Sequence, residues 1–190
     1  RNATRRNQKI FVETCIQYLI LDASLYEQNF EGAKWVMSPP LRQKKDQETL
    51  WAGINQGLVQ VVATDHCPFK WEQKLMGKDD FSKIPNGHPA IEHRVELLYS
   101  EGVRKGRITA NKFVEVLSTN PAKIFGMFPQ KGCIAPGSDA DIVLFDPNEE
   151  HTISTTIHHM NADYSAYEGW KLTGKTKTVL LRGKIVIEDG

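Results

Sequence analysis

The stretch VVATDHCPFK, residues 61–70, ends an apolar run on Asp65, His66 and Cys67, three side chains able to bind cations or move protons. A continuous apolar run such as LVQVVAT predicts a strand of the kind buried on both faces. In parallel α/β folds the C-terminal ends of such strands face the active site, because the loops there vary while the sheet stays rigid. A carboxylate at that end binds a hard or borderline cation, or acts as a general base. It can equally cap the next turn through an Asx motif, and position alone leaves both readings open. Consecutive side chains on an extended strand point to opposite faces, so Asp65, His66 and Cys67 cannot all converge on one ion.

Other polar residues carry weaker signals. His151, His158 and His159 lie in HTISTTIHHMNAD without the spacing of a recognised zinc site, and a structural role is expected for them. His88 and His93 stand as candidates for lining a pocket. Nothing resembles a phosphate-cradling glycine loop, a serine nucleophile elbow or an aromatic RNA platform.

The elements that would position these groups follow from pattern. KIFVETC (9–15) reads as a buried strand, and YLILDASLYEQ as either its continuation or a short helix. The apolar stretch in GAKWVMSPPLR must end near Ser38, because two prolines forbid further pairing or helix. KKDQETLWAGINQG predicts a helix with Leu50 and Ile54 inward and Gly57 as its stop. Residues 70–89 show no clear period and predict a long loop, a type often functional. A helix after Pro89 should bury Ile91, Val95 and Leu98. A second is expected over 109–118 with Thr109 as N-cap and Phe113, Val116 and Leu117 buried, and a third capped by Asn120 with Pro121 at its first position. After Gly126 the texture turns to short β-rich runs, including a hairpin at Arg182-Gly183. The expected division is an α/β part over 1–126 and a β part over 127–190.

Composition bounds the partners. The 190 residues are 40% apolar and 25% charged, ordinary for a globular chain with room for one good-sized core. A net charge of +1, without a basic stripe, argues against nucleic acid or an anionic membrane surface as partner. No apolar run is long enough to span a bilayer. Three widely spaced cysteines fit reduced thiols and a cytoplasmic location. The chain starts without Met and without a secretory signal, and a longer parent is expected.

Seven strings, in order along the chain, carry a family resemblance: ETCIQYLILD, KWVMSPPLR, TDHCPF, DFSKIPNG, STNPAKIFGMFPQKG, GSDADIVLFDP and HHMNADYSAYEGW. Together they resemble the D-hydantoinase and dihydropyrimidinase family of cyclic amidohydrolases. The resemblance implies an α/β fold, the C-terminal part of a (β/α)8 TIM-type barrel plus the C-terminal part of a small β-sandwich. A complete barrel needs about 250 residues, so residues 1–126 would supply only strands seven and eight with their helices, and 127–190 the sandwich portion.

The same resemblance implies the chemistry. Asp65 would bind one of two metal ions, usually Zn2+, and relay the proton between the attacking water and the departing amide nitrogen. Ser38 and Asn86 would offer backbone groups to a small-molecule cyclic amide, a dihydropyrimidine or hydantoin, which opens to an N-carbamoyl amino acid. The carboxylated lysine, the metal histidines and the oxyanion-stabilising tyrosine of the family lie upstream of Arg1. Since a catalytic zinc generally needs three protein ligands, this chain alone is expected to be inactive, and its parent an active homotetramer. Two other relatives compete: a non-catalytic scaffold of the collapsin response mediator type, and an allantoinase or dihydroorotase. Asp65 and Asn86, typically not kept in the scaffold proteins, favour the enzyme; SPPLR, DFSKIPNG and DYSAYEGW favour the hydantoinase type.

Overall fold

The computed structural model describes residues 2–190. After a short helix α1 (Asn2–Arg5), strand β1 (Glu13–Cys15) leads directly into α2 (Ile16–Ile20). Helix α3 (Lys44–Asn55) then returns the chain to strand β2 (Val61–Ala63), which pairs with β1 in parallel, Glu13 opposite Val61 and Cys15 opposite Ala63. Both strands are shorter than their apolar runs. Ile10, Phe11 and Val12, expected in a buried strand, are exposed and precede β1, which among the described residues pairs only with β2. Of β2, only Val62 is fully buried.

Each helix forms for local reasons and is placed by its apolar face. Helix α3 starts where the Asp46 carboxylate accepts from the Gln43 N–H at 3.1 Å and stops where the Gly57 N–H returns to Ile54 O. It buries Trp51 and Ile54, and the Trp51 indole N–H donates to Leu19 O at 3.1 Å, tying it to α2. The expected loop over 70–89 is instead partly ordered as α4 (Trp71–Leu75) and a 3-10 turn at Phe81–Lys83. These are too short to show a helical period in sequence.

Helix α5 (Arg94–Leu98) starts later than expected and continues as a π-helical stretch, Tyr99–Arg104. Its core face is therefore rotated: Leu97 and Leu98 are buried, Val95 half-buried, and Ile91 exposed. Thr109 caps α6 (Ala110–Val114) as expected, accepting from Lys112 N at 3.1 Å, and Val116 is buried with Phe113 and Leu117 packed against the core. No break separates this helix from α7 (Asn120–Ile124): a π stretch, Glu115–Thr119, connects them. Asn120 is thus not a cap. It has helical dihedrals (φ −67, ψ −47), and its amide donates to Gln60 O at 3.0 Å. The wider π turn accommodates Pro121, which has no N–H to return to the preceding turn.

Residues beyond 126 form an antiparallel sheet in the order β3 (Ile142–Thr152), β4 (Lys171–Leu181), β5 (Lys184–Glu188). The expected β4–β5 hairpin turns at Arg182 (φ 51) and Gly183 (φ 77), the positive-φ pair that suits a two-residue turn. Between β3 and β4 the chain folds back on the helical part. Ile153, Tyr167 and Leu172 join Ile16, Leu19, Val62, Leu97 and Val116 in one core.

Candidate active site

Asp65 lies two residues past β2, at its C-terminal end, with φ 49. Left-handed backbone is uncommon outside glycine, and Asp and Asn tolerate it best. Its approach is fixed from two sides. The buried Gln17 amide donates to Thr64 O at 2.9 Å, and Arg94 Nη1 donates to Val62 O at 3.1 Å. The carboxylate itself is exposed and makes no hydrogen bond or ion pair among the described residues. It borders a cleft of about 730 Å³ with Cys15, Tyr18, Pro39 and Pro40. Burial, then the charges of Glu13 and Asp65, pushes the Cys15 thiol up to about 12, and burial with Cys15 and Asp65 pushes the Tyr18 phenol up to about 12. Both groups stay neutral beside the carboxylate at ordinary pH.

Ser38 and Asn86 face each other across a second cleft of about 430 Å³, with Ser38 Oγ 3.5 Å from Asn86 Oδ1. Pro40 borders both clefts, so the Asp65 site and the Ser38–Asn86 site are neighbours with Pro39-Pro40 between them. The backbone N–H and C=O of Ser38 and of Asn86 have no partner among the described residues, and both residues are exposed. Such groups are ready to pair with the amide edge of a ligand. The loops are held in register: Gly87 N–H donates to Val36 O at 3.0 Å, Cys67 N–H to His88 O at 3.4 Å, and the Tyr18 hydroxyl to Pro39 O at 2.7 Å. Gly87, at φ 144, is required by contact as well as by conformation, since a Cβ there would stand 2.6 Å from Cys67 O.

The remaining sequence candidates are structural. His66 Nδ1 accepts from the Ala90 and Ile91 N–H groups at 3.1 and 3.3 Å, and burial lowers its pKa. His88 and His93 line neither of these clefts but are buried around Tyr167; His88 lies 3.3 Å from the Tyr167 hydroxyl. Burial, then the charges of Lys74 and His66, pushes His88 down to about 3. His151, His158 and His159 have separate partners in Glu96, Ala162 O and Glu92. Pattern reasoning missed Gln17, Tyr18 and Lys74, whose contacts are long-range hydrogen bonds to backbone with no local signature.

A profile of the amidohydrolase family matches residues 8–186. The chain belongs to the amidohydrolase family. This amidohydrolase chain is 53% identical over 189 residues to a D-hydantoinase of Geobacillus stearothermophilus, covering 98% of the chain and 40% of that protein. It superposes with a TM-score of 0.96 on the crystal structure of dihydropyrimidinase from Brevibacillus agri NCHU1002, at 53% identity, covering 99% of this chain and 41% of that one. An L-hydantoinase (dihydropyrimidinase) from Arthrobacter aurescens gives a TM-score of 0.88 at 30% identity, again covering 42% of that chain. The chain therefore spans about 40% of the length of the curated relatives it matches.

Proposed function

We propose that this chain is the C-terminal portion of a metal-dependent cyclic amidohydrolase that opens hydantoins or dihydropyrimidines to N-carbamoyl amino acids. The observation that carries the reading is the pairing of two free-standing features at one end of the parallel strands. One is an unpartnered carboxylate, Asp65; the other is a pair of unpartnered backbone edges, at Ser38 and Asn86, in the adjoining cleft. Under this reading residues 1–126 hold the seventh and eighth strands of a barrel and 127–190 part of a small sandwich. The whole protein is a cytoplasmic homotetramer.

The residues present fit a metal in one respect: Asp65 is an acceptor-only oxygen donor with no competing partner among the described residues. It would supply one ligand, and the other ligands required by a catalytic zinc must come from outside this chain. A bound zinc ion lowers the pKa of coordinated water toward neutrality and polarises a carbonyl. The chain's own residues do the rest. The N–H and C=O of Ser38 and Asn86 pair with the ring's amide edge, and Pro39, Pro40 and Pro85 stiffen the loops that present them. Asp65 accepts the proton of the attacking water at a carboxylate oxygen and delivers it to the departing ring nitrogen.

The test is zinc-dependent ring opening of hydantoin and of dihydrouracil. The full-length protein should turn over at least one of them, and the 190-residue chain with added zinc should not exceed blank. Metal-dependent turnover by the 190-residue chain alone would refute the assignment of the missing ligands, and no turnover by the full-length protein would refute the activity. The scaffold alternative predicts that second outcome.

A further inference from the structure

Lys74, on α4, is fully buried. Its ammonium donates to three backbone carbonyls: Pro85 O at 2.6 Å, Gly87 O at 2.8 Å and Val36 O at 3.0 Å. The three acceptors are not scattered. Pro85 and Gly87 bracket Asn86, and Val36 stands two residues before Ser38. All three N–H bonds of the ammonium are used, and among the described residues no carboxylate pairs with it.

This is a costly way to fill a core position. A buried cation without a counter-ion loses its hydration, and an apolar side chain of similar length would lose nothing. Burial accordingly pushes the Lys74 pKa down to about 8. The ammonium, with three donors radiating from one atom, is also the group best suited to hold three acceptors at once. The element carrying it is anchored both outside the two loops and against the Asn86 loop itself. Trp71 N–H donates to an Asp163 carboxylate oxygen at 2.7 Å, and the Trp71 ring packs against Phe30 and Tyr164. At its other end Gly77 lies so close to Ile84 that a Cβ would stand 2.1 Å from Ile84 Cγ1.

We propose that Lys74 is a positioning residue for substrate, a clamp that fixes the Ser38 loop and the Asn86 loop at the separation needed to hold the two sides of the ring's amide edge. The proposal rests on the reading above that these two residues bind substrate. Lys74 does not border either cleft and touches no reacting atom, so its effect reaches substrate only through the two loops. Loosening the clamp weakens binding while leaving the Asp65 end of the site, and hence the chemical step, largely intact.

The experiment compares Lys74→Met and Lys74→Gln with the unaltered full-length, zinc-loaded protein, with hydantoin and dihydrouracil as substrates. In Lys74→Met the KM should rise at least tenfold, with kcat within about threefold and metal content unchanged. Lys74→Gln, whose amide still offers two N–H donors, should recover part of that loss. A merely structural lysine would lower the melting temperature of both variants without moving KM. A folded, metal-replete Lys74→Met protein with KM within twofold of the unaltered enzyme overturns the proposal. If Lys74→Met does not fold, Lys74→Gln should by itself raise KM at least threefold with kcat unchanged, and a Lys74→Gln KM within twofold of the unaltered enzyme overturns the proposal. Turnover by the unaltered protein with KM unmoved by substitution removes only the role of Lys74. Absence of turnover in the unaltered protein removes the site reading itself.

Discussion

Replacing Asp65 by Asn in the full-length, zinc-loaded protein separates chemistry from architecture. The carboxylate has no hydrogen bond or ion pair among the described residues, so folding loses no contact when one oxygen becomes an amide nitrogen. The backbone at φ 49 lies in the left-handed region that Asn tolerates as well as Asp. Stability of the metal-free protein should therefore change by no more than about 0.5 kcal/mol, the usual range for a surface substitution away from special features. Activity should behave differently. An amide neither accepts a proton nor supplies an anionic ligand, and losing a positioned acid–base group typically costs about 10²–10⁴ in rate. At about 1.4 kcal/mol per factor of ten, that is roughly 3–5 kcal/mol of lost transition-state stabilisation. The assay is ring opening at saturating substrate, with metal content and melting temperature measured on the same preparations. Asp65→Ala adds a structural control, since Ala in left-handed backbone costs about 1–2 kcal/mol that Asn avoids. Retention of kcat within threefold by metal-replete Asp65→Asn would refute the role of Asp65. A large fall in the melting temperature of the metal-free protein would refute the claim that the fold makes no use of the carboxylate.

Three further outcomes follow from the same geometry. Gly87→Ala sets a Cβ 2.6 Å from Cys67 O on backbone at φ 144, and strain plus overpacking should cost about 2 kcal/mol or more. Gly57→Ala, also at positive φ but with nothing within 4 Å, should cost only about 1–2 kcal/mol, and equal falls in melting temperature would contradict this. His88 is held neutral, its pKa pushed down to about 3 by burial first. The unfolded chain therefore takes up a proton near pH 6.5 that the folded one refuses. Its contribution to stability is complete above about pH 6.5 and is lost as pH falls toward 3, at up to about 1.4 kcal/mol per pH unit. His88→Gln should flatten that part of the pH–stability curve. Finally, Cys15 is buried with its thiol pushed up to about 12, whereas Cys67 is exposed. A thiol reagent at pH 8 should label Cys67 in the folded protein and Cys15 only on denaturation, as read by peptide mapping.

One part of the proposed site is legible from a local signal, since Asp65 ends an apolar run, whereas Ser38 and Asn86 stand out only through the family resemblance. Thr109 as a cap and Arg182-Gly183 as a hairpin turn are local in the same way. Periodicity was less dependable wherever a helix started late. Ile91 was assigned to a core face that belongs to Leu97 and Leu98, because the helix begins at Arg94 rather than just after Pro89.

Residue type and pattern already carry the main order of elements, the family resemblance, and which residues are candidates for chemistry. Those properties depend on residue type and short spacing. The tertiary structure alone decided which surfaces are satisfied and which are left open. It left the apolar Ile10, Phe11 and Val12 exposed to solvent ahead of β1, and took the ammonium of Lys74 out of water. It also made Pro40 the common border of two clefts. The physical reason is distance along the chain. Lys74 finds its acceptors 11 to 38 residues away, and a buried donor's worth depends on whether those carbonyls arrive.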